Sequence, residues 1–439
     1  MREGWPLALL VAGFPVWWAL GLTDIAFALT AVPLAVTLVR RRRFGVPPGF
    51  GLWVLFLVWV LVSGVALDVT APGTIPPSGT GRYIAYAARL ADYLAVTVFL
   101  LYVGNTPESL LPRRRVVRWI SLLAVWLVVL GLLSLALPTA AVPTPLGALL
   151  PGGSSTASLA QVQEVLGYEA PRPAAPFTYT NIWGNVLSIA LVWVVVGWGV
   201  WGRARTRVLA TSLALVALVP LVYSLNRAVW VGVALSVAYV AVRLALRGKV
   251  LLVSVAAVVA VVGTVSLAAS PLGDVVDQRA EAGHSDTVRE ILAEGALRAA
   301  ADSPVVGYGS TRAMPGSGSS IAVGPSPECP QCGARNIGST GQLWLLLIAQ
   351  GFVGTAVYFA FFAKVAWASR RDTTAVGLAG TLTVLLSVYY SAFYVAMTMP
   401  LALTMLAVAL LWRNRQDAEY RRPPARASAA LIGSSRAAP

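Results

Sequence analysis

The sequence predicts an all-α fold, a polytopic membrane helix bundle of about twelve transmembrane helices with a large external loop containing a short helix. Three observations predict it. Only 12% of the 439 residues are charged and 57% are apolar, whereas a soluble domain carries about 25% charged residues. Apolar runs of about 20 residues, the length that crosses a bilayer as a helix, recur along the chain. Arginines gather at alternate breaks between those runs, the pattern of a chain whose cytoplasmic loops are basic.

The runs place spans at 5–21, 24–39, 50–67, 83–103, 116–137, 181–201, 208–224, 228–246, 250–269, 341–363, 374–394 and 399–412. The first has a weak basic start and no small-residue cleavage site, so it reads as a retained helix rather than a signal peptide. The last is short enough to be tilted or partly interfacial. Residues 1–412 form the membrane domain, with the external loop 270–340 inserted between the ninth and tenth spans. Residues 413–439, rich in Arg, Pro and Ala, are expected to be a disordered cytoplasmic tail.

The net charge of +15 follows from the topology. With the Arg-rich breaks in the cytoplasm, 24 of the 33 Lys and Arg lie inside and 8 outside, and both termini are cytoplasmic. A multi-pass position in an inner membrane is expected, with membrane lipids as neighbours. The charge is therefore not a nucleic-acid footprint, and no nucleic-acid partner is expected.

The outer segments hold the residues able to carry chemistry. In loop 270–340, Thr287 and Glu290 have the spacing of a capping box, and Val288, Ile291, Leu292 and Ala296 form the apolar stripe of a helix. Glu294 and Arg298 are a favourable i,i+4 pair, and Ser303-Pro304 ends the helix. A stretch rich in Gly, Ser and Pro then runs to about Gly338.

Arg227 sits at the outer mouth between two spans, against the positive-inside trend. Either it snorkels to headgroups or its planar fork holds an anion such as a lipid diphosphate. Arg289 falls in the expected first turn of the loop helix, where a cation needs an anionic partner. That partner is a loop carboxylate such as Asp286 or Asp277, or a phosphate. Arg82 and Arg312 are further phosphate-binding candidates, with Arg335 weaker. Arg89 and Asp92, three residues apart, suit a structural pair. His284 is read as incidental, and nothing selects a general base among Glu164, Glu169, Asp274, Asp277, Glu281 and Asp286. Cys329 and Cys332 form a CxxC on the outer side, read as a small disulfide. With no further Cys and one His in the chain, a metal site is not expected.

Three stretches resemble the O-antigen ligase and polymerase superfamily of bacterial envelope enzymes. The first is Ser224-Leu225-Asn226-Arg227-Ala228-Val229-Trp230, similar to the family's motif at a helix mouth. The second is Arg289 with Ala296-Leu297 and Pro304-Val305-Val306-Gly307-Tyr308-Gly309. The third is Leu343 to Gly354, ending Gln350-Gly351-Phe352-Val353-Gly354. The resemblance implies a membrane glycosyltransferase that needs no metal, nucleotide sugar or other cofactor. It moves a glycan from an undecaprenyl-diphosphate carrier to a glycan or lipid acceptor at the outer face, and outer arginines hold the diphosphate. On that reading Arg227 and Arg289 are the catalytic pair, with Arg82 and Arg312 as substrate-binding residues. Ligases of the family carry a His where this chain reads Ser339-Thr340-Gly341-Gln342, so a polymerase, or a ligase for another surface glycan, fits better. The alternative is a transporter or flippase of a lipid-linked glycan. Ion-coupled transporters usually bury ionisable residues in mid-membrane, and here only Arg89 and Asp92 fall there.

The charge asymmetry makes a direct prediction. Topology reporters fused after Arg43, Arg115 and Arg207 should read cytoplasmic, and one at Gly318 external. A cytoplasmic signal at Gly318 would overturn the arrangement.

Overall fold

A computed structural model describes residues 3–41, 44–149, 156–164, 169–248, 271–281, 284–315 and 336–420. The chain is mostly helical. Among the described residues, seven helices are long and apolar enough to cross a membrane. They are α3 (Thr23–Arg40), α5 (Gly81–Asn105), α6 (Arg113–Ala136), α7 (Thr180–Val194, continued by a π turn to Val200), α8 (Ala204–Tyr223), α9 (Arg227–Ala245) and α12 (Gln342–Ser369). Two shorter apolar helices accompany them, α4 (Phe50–Ser63) with a 3-10 turn to Ala66, and α13 (Ala375–Tyr390). The expected span 250–269 lies outside the described residues.

The apolar run 5–21 is not one continuous helix. It folds as α1 (Trp5–Val11) and α2 (Phe14–Leu20), separated at Gly13. Pro15 has no N–H to continue α1, and its ring clashes with a preceding helical carbonyl. At about 1.5 Å per residue neither piece spans a bilayer. The last helix, α14 (Met399–Tyr420), has 22 residues and is not short. It is buried on every face from Met399 to Trp412 and packs against α5, α7 and α13, so its uniformly apolar sequence marks a central post. It also continues eight residues into the expected tail. There Arg413, itself buried, donates to the Leu111 carbonyl (2.9 Å) and to Glu108 Oε2 (2.6 Å). Arg113 bridges Glu108 (3.1 Å) and Asp417 (2.6 Å).

The loop helix, α11 (His284–Asp302), follows a shorter one, α10 (Pro271–Glu281). It begins three residues before Thr287, so Thr287 is not its cap and Arg289 lies in its second turn rather than its first. Leu292, Ala296, Ala299 and Ala300 pack on Ile337, Leu347 and Ile348, with Val288, Leu343 and Trp344 at the margin. Ile291 is 48% exposed. It shares the outer face of the Glu294–Arg298 ion pair, a position set by the i, i+3, i+7 spacing.

What holds α11 in place is a break in α12. Gly351 has φ 64° and ψ −169°, a region essentially closed to other residues. The break frees carbonyls that an unbroken helix would use. Tyr308 N–H donates to the Ile348 carbonyl and Gly309 N–H to the Ala349 carbonyl, both at 2.8 Å. In return the Phe352 N–H donates to the Pro304 carbonyl at 2.8 Å. The segment Pro304–Gly309 is thus stitched into the gap, and α11 ends against it. A Cβ on Gly307 would stand 2.6 Å from the backbone of Ala349, and one on Gly351 2.6 Å from the Pro304 carbonyl oxygen.

Gly351→Ala should lower stability by about 1–3 kcal/mol for the backbone conformation alone, and Gly307→Ala should act in the same direction. Thermal unfolding in detergent checks this. An unchanged midpoint for both variants would show that the segment is not held as described.

Candidate functional site

The site is built at the turn between α8 and α9. Leu225, in that turn, has φ 56°, a left-handed conformation that costs a non-glycine residue energy and recurs at functional sites. It turns the carbonyls of Ser224 and Leu225 toward two arginines. Arg172 Nε donates to the Ser224 carbonyl at 2.8 Å, and its Nη2 to Asn226 Oδ1 at 3.0 Å. Arg279, on α10, donates to the Leu225 carbonyl at 3.2 Å. Both side chains are buried.

Arg172 reaches the turn from a hairpin, strands β1 (Ala160–Glu164) and β2 (Glu169–Pro173), in which it stands opposite Gln161. Prolines on either side of Arg172 favour the extended chain. Ser134 on α6 donates to the Leu159 carbonyl at 2.6 Å, and Gln161 Oε1 accepts the Thr180 N–H at the start of α7 (3.1 Å). Asn226 Nδ2 closes the circuit on the Thr180 carbonyl at 3.1 Å.

Arg289 joins this group from α11. Burial pushes the Arg172 guanidinium down to about 9, and the fields of Arg279 and Arg289 push in the same direction. Three guanidiniums therefore converge on one turn. They do so beside the N-terminus of α9, which carries positive partial charge. Arg289 Nε is buried without a hydrogen-bond partner. Such an arrangement is costly unless an anion offsets it. Chemically it suits a polyanionic group with several acceptor oxygens.

Of the residues singled out in the sequence, Arg227 is the first residue of α9, next to Asn226, and half-buried. Arg289 is brought to the same mouth. Arg82 and Arg312 form a separate group. Arg82 Nε bonds Asp68 at 2.8 Å, and Asp68 also accepts from the Tyr83 hydroxyl. Arg312 is buried and spends its guanidinium on carbonyls of Ala66 (3.0 Å), Leu67 (3.1 Å) and Tyr308 (2.7 Å). Its place is that of a clamp between the 3-10 turn after α4 and the segment after α11. Arg89 turns to the Gly309 carbonyl (3.5 Å) and not to Asp92. Cys329, Cys332 and Arg335 lie outside the described residues, and of His284 only the backbone, at the start of α11, is described.

Arg172 and Arg279 escaped the sequence reading. The signal available was the one that singled out Arg227: an arginine in a segment assigned to the outer side. It selects several residues equally, and only the hairpin and α10 decide which of them meet.

Asn226 joins Arg172 to Thr180, so Asn226→Ala should leave a buried carbonyl and a guanidinium each short of a partner. A loss of about 1–3 kcal/mol is expected, read from the thermal midpoint; a neutral result would remove Asn226 from the framework of the site. No protein-family model, curated protein or solved structure matches this chain.

Proposed function

We propose that this protein is a membrane glycosyltransferase of the O-antigen ligase or polymerase type. It transfers a glycan from an undecaprenyl-diphosphate carrier to a glycan or lipid acceptor at the outer face of a bacterial inner membrane. In this reading both termini are cytoplasmic, and the α8–α9 mouth, the hairpin and α11 face outward. One observation carries the reading: the buried, unpartnered Nε of Arg289, set against the guanidiniums of Arg172 and Arg279 at the mouth that Arg227 opens. A lipid-linked diphosphate offers negative charge to the cluster and an acceptor oxygen to Arg289 Nε. Its lipid tail would lie among apolar helix faces, with the diphosphate at the mouth.

The chemistry follows from charge. When an acceptor hydroxyl attacks the anomeric carbon, the bond from that carbon to the diphosphate oxygen breaks and negative charge develops on the leaving group. Fixed guanidiniums at that point stabilise the transition state more than the ground state. Arg172 and Arg279 are held by backbone carbonyls and need not reorganise. Arg289 has a free donor to give.

Arg227→Ala and Arg289→Ala should each lower glycan transfer on the order of 100-fold, as loss of a charge-stabilising donor does elsewhere. Lys at either position should rescue partly, since it keeps the charge and loses the planar fork. The measurement is transfer from a lipid-linked glycan by reconstituted protein, with membrane insertion checked for each variant. Leaflet exchange of the lipid without any transfer would overturn the reading in favour of a flippase.

A further inference from the structure

A second buried polar atom in the frame of the arginines stands without a partner. Thr180 is the first residue of α7 and is fully buried. Its backbone is bonded into that frame on both sides. The Thr180 N–H donates to Gln161 Oε1 on the hairpin, and its carbonyl accepts from Asn226 Nδ2, both at 3.1 Å. The same Asn226 amide accepts from Arg172 Nη2 at 3.0 Å through its Oδ1. One turn on, a Cβ on Gly184 would stand 3.0 Å from Asn226 Nδ2 and 2.9 Å from Val229 Cγ2. The first turns of α7 thus lie directly against the α8–α9 mouth, and one amide separates Thr180 from the Arg172 guanidinium. Thr180 Oγ1 nevertheless makes no hydrogen bond.

Position explains why the chain itself does not satisfy this hydroxyl. A threonine within a helix can donate to the carbonyl four residues earlier. Thr30, Thr97, Thr106, Thr355 and Thr404 all do so. Thr180 opens its helix after an extended Tyr179, so no helical carbonyl lies behind it. Buried polar groups are almost always satisfied, by protein, water or ligand, and leaving one unmade costs free energy. Arg289 Nε is buried and unpartnered in the same way, and its field reaches Arg172. Both groups can donate to an anionic oxygen, and the hydroxyl does so without adding charge to a crowded cluster.

We infer that Thr180 is a ligand-binding residue of this site, donating its hydroxyl to an oxygen of the same diphosphate group that the arginines hold. The inference rests on the anion site argued above and brings the first turn of α7 into it, alongside the hairpin, α10 and α11. The hydroxyl is then kept for binding, at a cost to the ligand-free fold.

Titration calorimetry on the purified full chain in detergent, with inorganic pyrophosphate as the probe, tests this together with thermal unfolding of the same samples without ligand. Thr180→Val keeps the branched shape and removes the hydroxyl, and Thr180→Ser keeps the hydroxyl. An unpartnered hydroxyl contributes nothing to the ligand-free fold, so Thr180→Val should unfold at the wild-type midpoint or above it. It should weaken pyrophosphate binding roughly ten- to a hundred-fold, the range for losing a hydrogen bond to a charged group. Thr180→Ser should bind much as the wild type does. A lowered midpoint for Thr180→Val would give the hydroxyl a partner inside the protein and overturn the assignment. So would Thr180→Ser binding as weakly as Thr180→Val. If Thr180→Val binds like the wild type while Arg289→Ala does not bind, the Thr180 assignment is wrong and the anion site stands. If the wild type does not bind at all, or Arg289→Ala binds normally, the anion site itself fails.

Discussion

The exchange of backbone hydrogen bonds at Gly351 is the constraint on which the rest of the site depends. A helix broken in an apolar interior must find partners for the groups it frees. Here the partners come from Pro304–Gly309, which surrenders the Pro304 carbonyl and takes the Ile348 and Ala349 carbonyls in return. Because the trade is reciprocal, neither segment can move without leaving unsatisfied groups on both. The end of α11 is fixed by it, and the Ala-rich face of α11 then packs on α12. Arg289, two turns up that helix from Ala296, is carried to the α8–α9 mouth as a consequence. A site residue in a long loop thus gains the positional precision of one on a span.

The arginine cluster is the complementary element, an arrangement that folding alone does not favour. Arg172 and Arg279 are buried and bonded to carbonyls, which partly compensates their desolvation. Their mutual field and that of Arg289 add to the cost. The Leu225 conformation adds a further local strain in the turn that receives them. Strain, like-charge proximity and the unpartnered Arg289 Nε at one place form the physical signature of a preorganised binding site. The contrast with Arg312 is instructive. Its guanidinium is also buried, yet it meets a ring of carbonyls from Ala66 to Tyr308 and has a complete set of partners. Burial of an arginine alone does not distinguish clamp from site; the unpartnered Nε of Arg289 does.

Much of the helical architecture was legible in the sequence because apolar runs and helix length are both local properties. The seven long apolar helices coincide with expected spans, and Ser303-Pro304 ends α11 where the sequence places its end. The Glu294–Arg298 pair forms for the same local reason. The misreadings have equally local causes. Pro15 splits the first run, since hydropathy averaging does not register a missing N–H. Arg413 looked like the start of a polar tail, yet Glu108 and the Leu111 carbonyl draw it into the packed end of α14. No periodicity in either segment announces a partner some 300 residues away.

The site divides along the same line. The sequence by itself determined which side chains have the right chemistry: arginines in segments assigned to the outer side, with Arg227 and Arg289 among them. Only the tertiary structure decided which arginines meet. Arg172 arrives on a two-stranded hairpin, more than a hundred residues before Arg279 on α10 and Arg289 on α11. The physical reason is that a charge cluster is a property of distance in space. Its energy depends on burial and on neighbouring fields, and neither is encoded in the spacing of residues along one segment.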